Sequence, residues 1–165
     1  MKINLVMIVR NEERSLERCL RTVEGLVDKK IVIDTGSTDR TIEIARKMGA
    51  EVHSFLWEDD FSAARNFALD QSDGDWNLIL DGDEYLRAVT REKLEELLLD
   101  RTGMWLGCIT RYDSFRNEEG ISMSTAVLPR LLPKGVRYEG RIHEQPSGGY
   151  PCYLLPLQVE HDGYL

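Results

Sequence analysis

Apolar and polar positions follow two alternating rhythms through the first half of the chain. The run Ile3–Val9 is apolar at every position but Asn4 and predicts a strand. Over Glu13–Leu26, residues Leu16, Cys19, Leu20, Val23 and Leu26 or Val27 fall on one stripe at helical spacing. Lys30–Ile33 predicts a second strand. After a polar turn, Thr41–Met48 predicts a helix with Ile42, Ala45 and Met48 in line and Gly49 at its C-terminal cap. Glu51–Phe55 reads as a third strand, and Ser62–Gln71 as a helix with Ala64, Phe67 and Ala68 on its apolar side, stopped near Gly74. Trp76–Leu80, apolar apart from Asn77, has the pattern of a strand covered on both faces. Such a strand–helix rhythm calls for right-handed crossovers and a parallel sheet.

Past residue 84 the pattern changes. Thr90 caps a predicted helix whose Leu94, Leu97 and Leu98 face the core. Leu106–Tyr112, Ser122–Leu132 and Cys152–Val159 then read as strands between Gly, Pro and Asn turns. This half is expected to add antiparallel strands as a second wall beside the sheet. With 165 residues the chain is expected to form a single domain, 1–84 being one half and 85–165 the other. Its ending, His161-Asp162-Gly163-Tyr164-Leu165, reads as a stop within a longer protein.

Composition narrows the partners. No apolar run approaches the roughly 18 residues of a membrane span, and the amino terminus has no signal-peptide pattern, so a cytoplasmic location is expected. A net charge of −8 argues against nucleic acid or an anionic membrane. An acidic protein that binds an anionic nucleotide needs a metal or a few placed arginines. Cys19, Cys108 and Cys152 are widely spaced without a metal-ligand pattern and are expected as reduced thiols.

The richest chemistry lies where Ile79-Leu80 runs into Asp81-Gly82-Asp83-Glu84. Carboxylates clustered after a buried strand suit a hard divalent cation, and Mg²⁺ favours one or two carboxylates plus substrate phosphates. The bland alternative is an acidic turn. Two further polar strand ends shift the balance: Arg10-Asn11-Glu12-Glu13 after the first strand and Asp34-Thr35-Gly36-Ser37-Thr38-Asp39 after the second. In an open parallel sheet, ligands bind outside the carboxyl ends of the strands. Ionised Asp34 accepts hydrogen bonds from a ribose or a base, and Gly36 lets the turn approach a ligand closely. Thr38 or Asp39 is expected to cap the following helix. Arg65 either meets a phosphate or forms a surface ion pair with Asp59 or Asp60, and Trp57 and Phe61 are expected in the core. No Gly-x-Gly-x-x-Gly follows the first strand and no Gly-x-x-x-x-Gly-Lys-Ser/Thr occurs, which removes the usual dinucleotide and P-loop classes.

Four segments together resemble the family-two glycosyltransferases of bacterial type, which have the GT-A fold. They are Met7–Glu13, Ile33–Thr41, Asp60–Asn66 and Gly74–Glu84, in the family's order. The resemblance implies a Rossmann-like, mostly parallel sheet flanked by helices, with an added antiparallel region in the C-terminal half. It implies that Val9, Arg10, Asn11 and Glu12 line the nucleotide pocket, that Asp34 and Gly36 hold the base or ribose, and that Arg65 and Asp81 contact the nucleotide or sugar. Asp83 becomes the principal ligand for Mn²⁺ or Mg²⁺ in the family's Asp-x-Asp motif; Asp81 beside it and, from its residue type alone, His161 are expected as further metal ligands. Some such bacterial proteins carry helical repeats after the catalytic domain; others modify peptides or lipopolysaccharide cores.

The implied reaction is an inverting displacement from a nucleotide sugar, expected as a uridine diphosphate (UDP) sugar, onto a saccharide, lipid-linked or peptide acceptor. In Arg141-Ile142-His143-Glu144-Gln145, Glu144 stands near the family's base position, although the Gln-x-x-Arg-Trp pattern is missing. Its structural alternative is an ion pair with Arg141 or Arg130. His143 and His161 each offer a metal ligand or phosphate contact, and His161 is read as part of a flexible closing segment. The competing reading is a non-catalytic GT-A domain that binds a nucleotide or a protein partner.

Overall fold

The computed structural model describes residues 1–164; Leu165 lies outside the described residues. The strand–helix rhythm folds as its pattern predicts. Strands β1 (Ile3–Val9), β2 (Lys29–Asp34), β3 (Glu51–Ser54) and β4 (Trp76–Ile79) run parallel in the order β3-β2-β1-β4. Register places Val9 beside Asp34 and Val6 beside Ile79, so the polar ends of β1, β2 and β4 meet along one edge. Successive side chains on a strand point to opposite faces. Ile3, Leu5, Met7 and Val9 therefore enter one apolar cluster, while Val6 and Ile8 enter the other.

Helices cover both faces. α1 (Leu16–Arg21), α2 (Thr41–Lys47) and α4 (Arg91–Leu99) bring Leu16, Ala45 and Leu94 to the first cluster. α3 (Phe61–Asp70) brings Ala68 and Leu69 to the second. Two side-chain caps set helix starts: Asp60 accepts from the Ala63 amide and Thr90 from the Lys93 amide, both at 3.1 Å. Gly49 ends α2 at φ 79°, a left-handed conformation that costs a glycine little. α1 is shorter than the sequence stripe implies. β-branched Thr22 and Val23 follow Arg21, and the chain continues as turns in which the amides of Thr22, Val23, Glu24 and Leu26 each bond the third preceding carbonyl. The stripe still buries Leu16, Cys19, Leu20, Val23 and Leu26.

The second half does not build a separate wall. β4 presents a free edge, and backbone groups on an edge seek partners. β7 (Gly120–Pro133) pairs antiparallel with β4, then β6 (Leu106–Asn117), β10 (Cys152–Tyr164) and β5 (Glu84–Leu86) continue outward. The result is one eight-stranded sheet, joined by a separate short pair, β8 (Tyr138–Glu139) with β9 (Gln145–Pro146). The predicted strand cores are all present, and β10 runs past Val159 to pair His161 with Asp113 of β6 and Glu84 of β5, just before an irregularity in the ladder.

The expectation of three reduced thiols is corrected. Cys108 and Cys152 form a disulfide between β6 and β10, with Cα atoms 6.1 Å apart, and Cys19 is buried and free. Adjacency of the two strands creates the pair; a separation of 44 residues hid it from the sequence. By loop-closure entropy, a bridge over that span stabilises the fold by at most about 4 kcal/mol. Thiol titration of the unfolded, non-reduced protein should therefore find one reactive cysteine. Reduction should lower the unfolding free energy measured in urea by up to that amount, and three titrating thiols would refute the bond.

Candidate active site at the strand ends

Two loops are laced together before any ligand arrives. Asn11 takes φ 52°, which Asn tolerates better than most residues, and its Oδ1 accepts from the Thr38 amide at 2.8 Å. In return the Asn11 amide donates to Ser37 Oγ at 2.9 Å and the Glu12 amide to Thr41 Oγ1 at 2.8 Å. Asp39, one of the two expected caps, accepts from the Thr41 amide at 2.9 Å at the start of α2. Asn11 thus joins the β1 and β2 loops. Between them, buried Asp34 folds its turn around one oxygen. Oδ2 accepts from the amides of Gly36 and Ser37, each at 3.0 Å, while Oδ1 is buried without a hydrogen-bond partner. A buried acceptor left unmet is costly and calls for a donor from elsewhere. Gly36 sits at φ 121°, a conformation open to glycine.

The acidic turn after β4 separates its carboxylates. Glu84 is fully buried, and Arg130 of β7 donates to its Oε2 at 2.9 Å while the Asp81 amide donates to Oε1 at 2.7 Å. Asp81 turns both oxygens to arginines: Arg65 Nη2 lies 2.8 Å from Oδ1 and Arg130 Nη2 lies 3.5 Å from Oδ2. Burial alone would raise the Asp81 carboxyl, but Arg130 and Arg65 together hold it well below the usual carboxylate range. Asp83 alone of the three faces His161, at 3.0 Å from Nε2.

His161 is held from behind. Asp113 Oδ1 lies 2.9 Å from Nδ1, and Arg111 Nε lies 2.7 Å from the same Asp113 oxygen. Asp83, the largest influence, raises the imidazole above its ordinary value; burial opposes it and Asp113 adds to it. Gly163 closes the side of the pair, because a Cβ there would run into Asp83 and come within 2.7 Å of His161 Nε2. Glu12 lies over Gly82, and burial, followed by the charge of Asp83, pushes its carboxyl up to about 7.

Val9, Arg10, Glu12, Arg65, Asp81, Asp83, Glu144 and His161 all line one cleft of about 560 Å³. Asp34 and Gly36 line an adjoining hollow of about 550 Å³. A third hollow, of about 730 Å³, lies on the other side and shares Arg65, Asp81, Arg111 and Glu144 with the cleft. Three expectations are corrected. Arg65 is no surface group paired with Asp59 or Asp60; it is buried against Asp81, with its Nε 3.7 Å from Glu144. Glu144 accordingly pairs with neither Arg141 nor Arg130. Trp57 and Phe61 line the cleft instead of the core. Sequence reading missed Arg111 and Asp113, and named Arg130 only as a partner for Glu144. Arg130 alone left a signal, a charge inside the apolar stretch Val127–Leu132.

Among the described residues no three His, Cys, Asp or Glu side chains form a ready metal cage. The donor set nonetheless fits a hard cation held jointly with a ligand: one carboxylate and one imidazole converge on the cleft, and phosphate oxygens and water complete such a site. His143 is exposed and lines the third hollow, away from Asp83.

Truncating the buried ion pair tests how this turn is held. Arg130→Met leaves Glu84 buried without its main cation and should cost about 3–5 kcal/mol in urea unfolding. Adding Glu84→Gln to it should recover part of that loss; strictly additive costs would show that the pair is not coupled.

Residues 4–150 match the glycosyl transferase family 2 profile. A TPR repeat-containing protein of Synechococcus elongatus is 53% identical over 85 residues, covering 52% of this chain and 21% of that protein. The SPbeta prophage-derived glycosyltransferase SunS of Bacillus subtilis is 26% identical over 164 residues, covering 96% of this chain and 39% of SunS. The chain thus spans well under half of these relatives. Among solved structures, glucosyl-3-phosphoglycerate synthase from Mycobacterium tuberculosis, in complex with Mn²⁺, UDP and glucosyl-3-phosphoglycerate, superposes with a TM-score of 0.55. It is 27% identical, and the match covers 67% of this chain and 44% of that one. TarS of S. aureus shares the fold at a TM-score of 0.56 and 22% identity, over 68% of this chain and 22% of that one.

Proposed function

The chain belongs to glycosyl transferase family 2, and from that membership we propose that it moves a sugar from a UDP-sugar to an acceptor hydroxyl or other nucleophile. The observation that carries this reading is the convergence, outside the carboxyl ends of β1, β2 and β4, of an unmet Asp34 acceptor and the Asp83–His161 pair. Support for the donor comes from the mycobacterial synthase, whose complex contains UDP and Mn²⁺.

Asp34 Oδ1 takes an N–H or O–H of the nucleoside. Asp83 and His161 would hold Mn²⁺ or Mg²⁺, while Asp81, neutralised by Arg65 and Arg130, lies beside them as a fixed, ionised acceptor for sugar or ribose hydroxyls. A bound divalent cation supplies charge neutralisation for the departing diphosphate. Arg65 keeps buried nitrogens without hydrogen-bond partners, which can meet anionic oxygen. Glu144 stands where the donor cleft meets the third hollow. Because Glu144 lines both hollows, a nucleophile in the third hollow would give its proton to Glu144 as the bond to the anomeric carbon forms and the bond to the diphosphate breaks. Attack from that side, opposite the departing diphosphate, inverts the anomeric centre.

Binding is measurable before the acceptor is known. UDP with Mn²⁺ at about a hundred times its dissociation constant should add about 2.7 kcal/mol. For a domain of this size that raises the melting temperature by about 5–10 °C. The shift should vanish in chelator and in Asp83→Asn. No shift with UDP would sink the donor assignment and leave the binding-domain reading ahead.

A further inference from the structure

Trp57 is an aromatic group that the reaction reading leaves unused. It stands where the donor cleft meets the hollow of Asp34 and Gly36; Trp57, Arg10 and Thr35 are the residues that line both. An apolar ring of this size normally goes to the core, yet here the loop between β3 and α3 carries it to the cleft. The loop fixes it there. The indole Nε1–H donates to Asp59 Oδ1 at 3.0 Å, and the ring meets Phe61 edge-on with centroids 4.8 Å apart. Asp59 adopts φ 57°, and the only other non-glycine with positive φ among the described residues is Asn11, in the facing β1 loop. Such strained conformations persist where the surroundings impose them, and they collect at ligand sites.

Because the indole N–H is satisfied inside its own loop, what Trp57 offers to the cleft is its π surface. The adjoining hollow offers the buried Asp34 Oδ1, an acceptor that lacks a donor. An aromatic surface beside an unmet acceptor suits a planar heterocycle that bears an N–H. The Asp83–His161 pair further along suits a charged diphosphate. We propose that Trp57 is the stacking platform for the nucleobase of the donor, so that the base contributes directly to affinity. This inference rests on the nucleotide reading above and extends it to the residue that recognises the base.

Stacking between a base and an aromatic side chain is typically worth a roughly 5- to 150-fold change in affinity. The experiment uses calorimetry and tryptophan emission together, with UDP–Mn²⁺ and pyrophosphate–Mn²⁺ as probes. Trp76 and Trp105 are 8% and 2% exposed, so emission changes on binding report Trp57. UDP should quench the wild-type emission and pyrophosphate should not. Trp57→Leu should weaken UDP by about 5- to 150-fold while leaving pyrophosphate unchanged, and Trp57→Phe, which keeps a ring, should stay within a few-fold of wild type. Equal affinity of UDP for wild type and Trp57→Leu, or equal weakening of both probes, overturns the proposal. Should Trp57→Leu fail to fold, wild-type emission unmoved by saturating UDP overturns it alone. No calorimetric UDP binding to wild type would instead sink the donor reading itself, and this inference with it.

Discussion

The site depends on one buried ion pair, Glu84 with Arg130. A carboxylate with no solvent exposure is tolerable only when paired and hydrogen-bonded, and Glu84 is both. That pairing fixes the turn after β4, because the Glu84 carboxylate also receives the Asp81 amide. It needs β7 beside β4, since Arg130 comes from β7. The two halves of the chain are thereby joined at the point where chemistry is expected: the N-terminal half supplies the acidic turn and the C-terminal half supplies its counterion.

A consequence is that the carboxylates of one short turn do different work. Glu84 is structural. Asp81 is held ionised between Arg65 and Arg130. Asp83 faces the cleft against His161, which Asp113 and Arg111 hold in turn. Environment, rather than residue type, divides these roles. Strands β6 and β10 supply the supporting groups, so the C-terminal half positions the polar centre as well as enclosing it.

Much of this was legible from the order of residues. The parallel strands, the edge where they end, and Asp34, Asp81 and Asp83 follow from periodicity and from polar residues at strand ends. His161 was also named, though as part of a flexible segment and not of a regular strand. What stayed hidden depends on contacts between distant positions. Arg111 and Asp113 alternate on β6 as any exposed pair would, and only the register with β10 sets them behind His161. The Cys108–Cys152 bond has the same origin. Trp57 was misjudged because large aromatics usually pack inside, and nothing in the sequence announces a strained loop that holds one at the surface. The Asp-x-Asp pattern offers both carboxylates alike, and the arginines that pair with Asp81 lie sixteen residues before it, at Arg65, and far beyond it, at Arg130.

The central claim is that Asp83 with His161, rather than Asp81, receives the cation of the donor. Anomalous diffraction from crystals grown with UDP and Mn²⁺ tests it directly. The account predicts a manganese peak in coordination contact with an Asp83 oxygen and His161 Nε2, with Asp81 still paired to Arg65. A manganese bound to Asp81 while the Asp83–His161 hydrogen bond stays closed would contradict it.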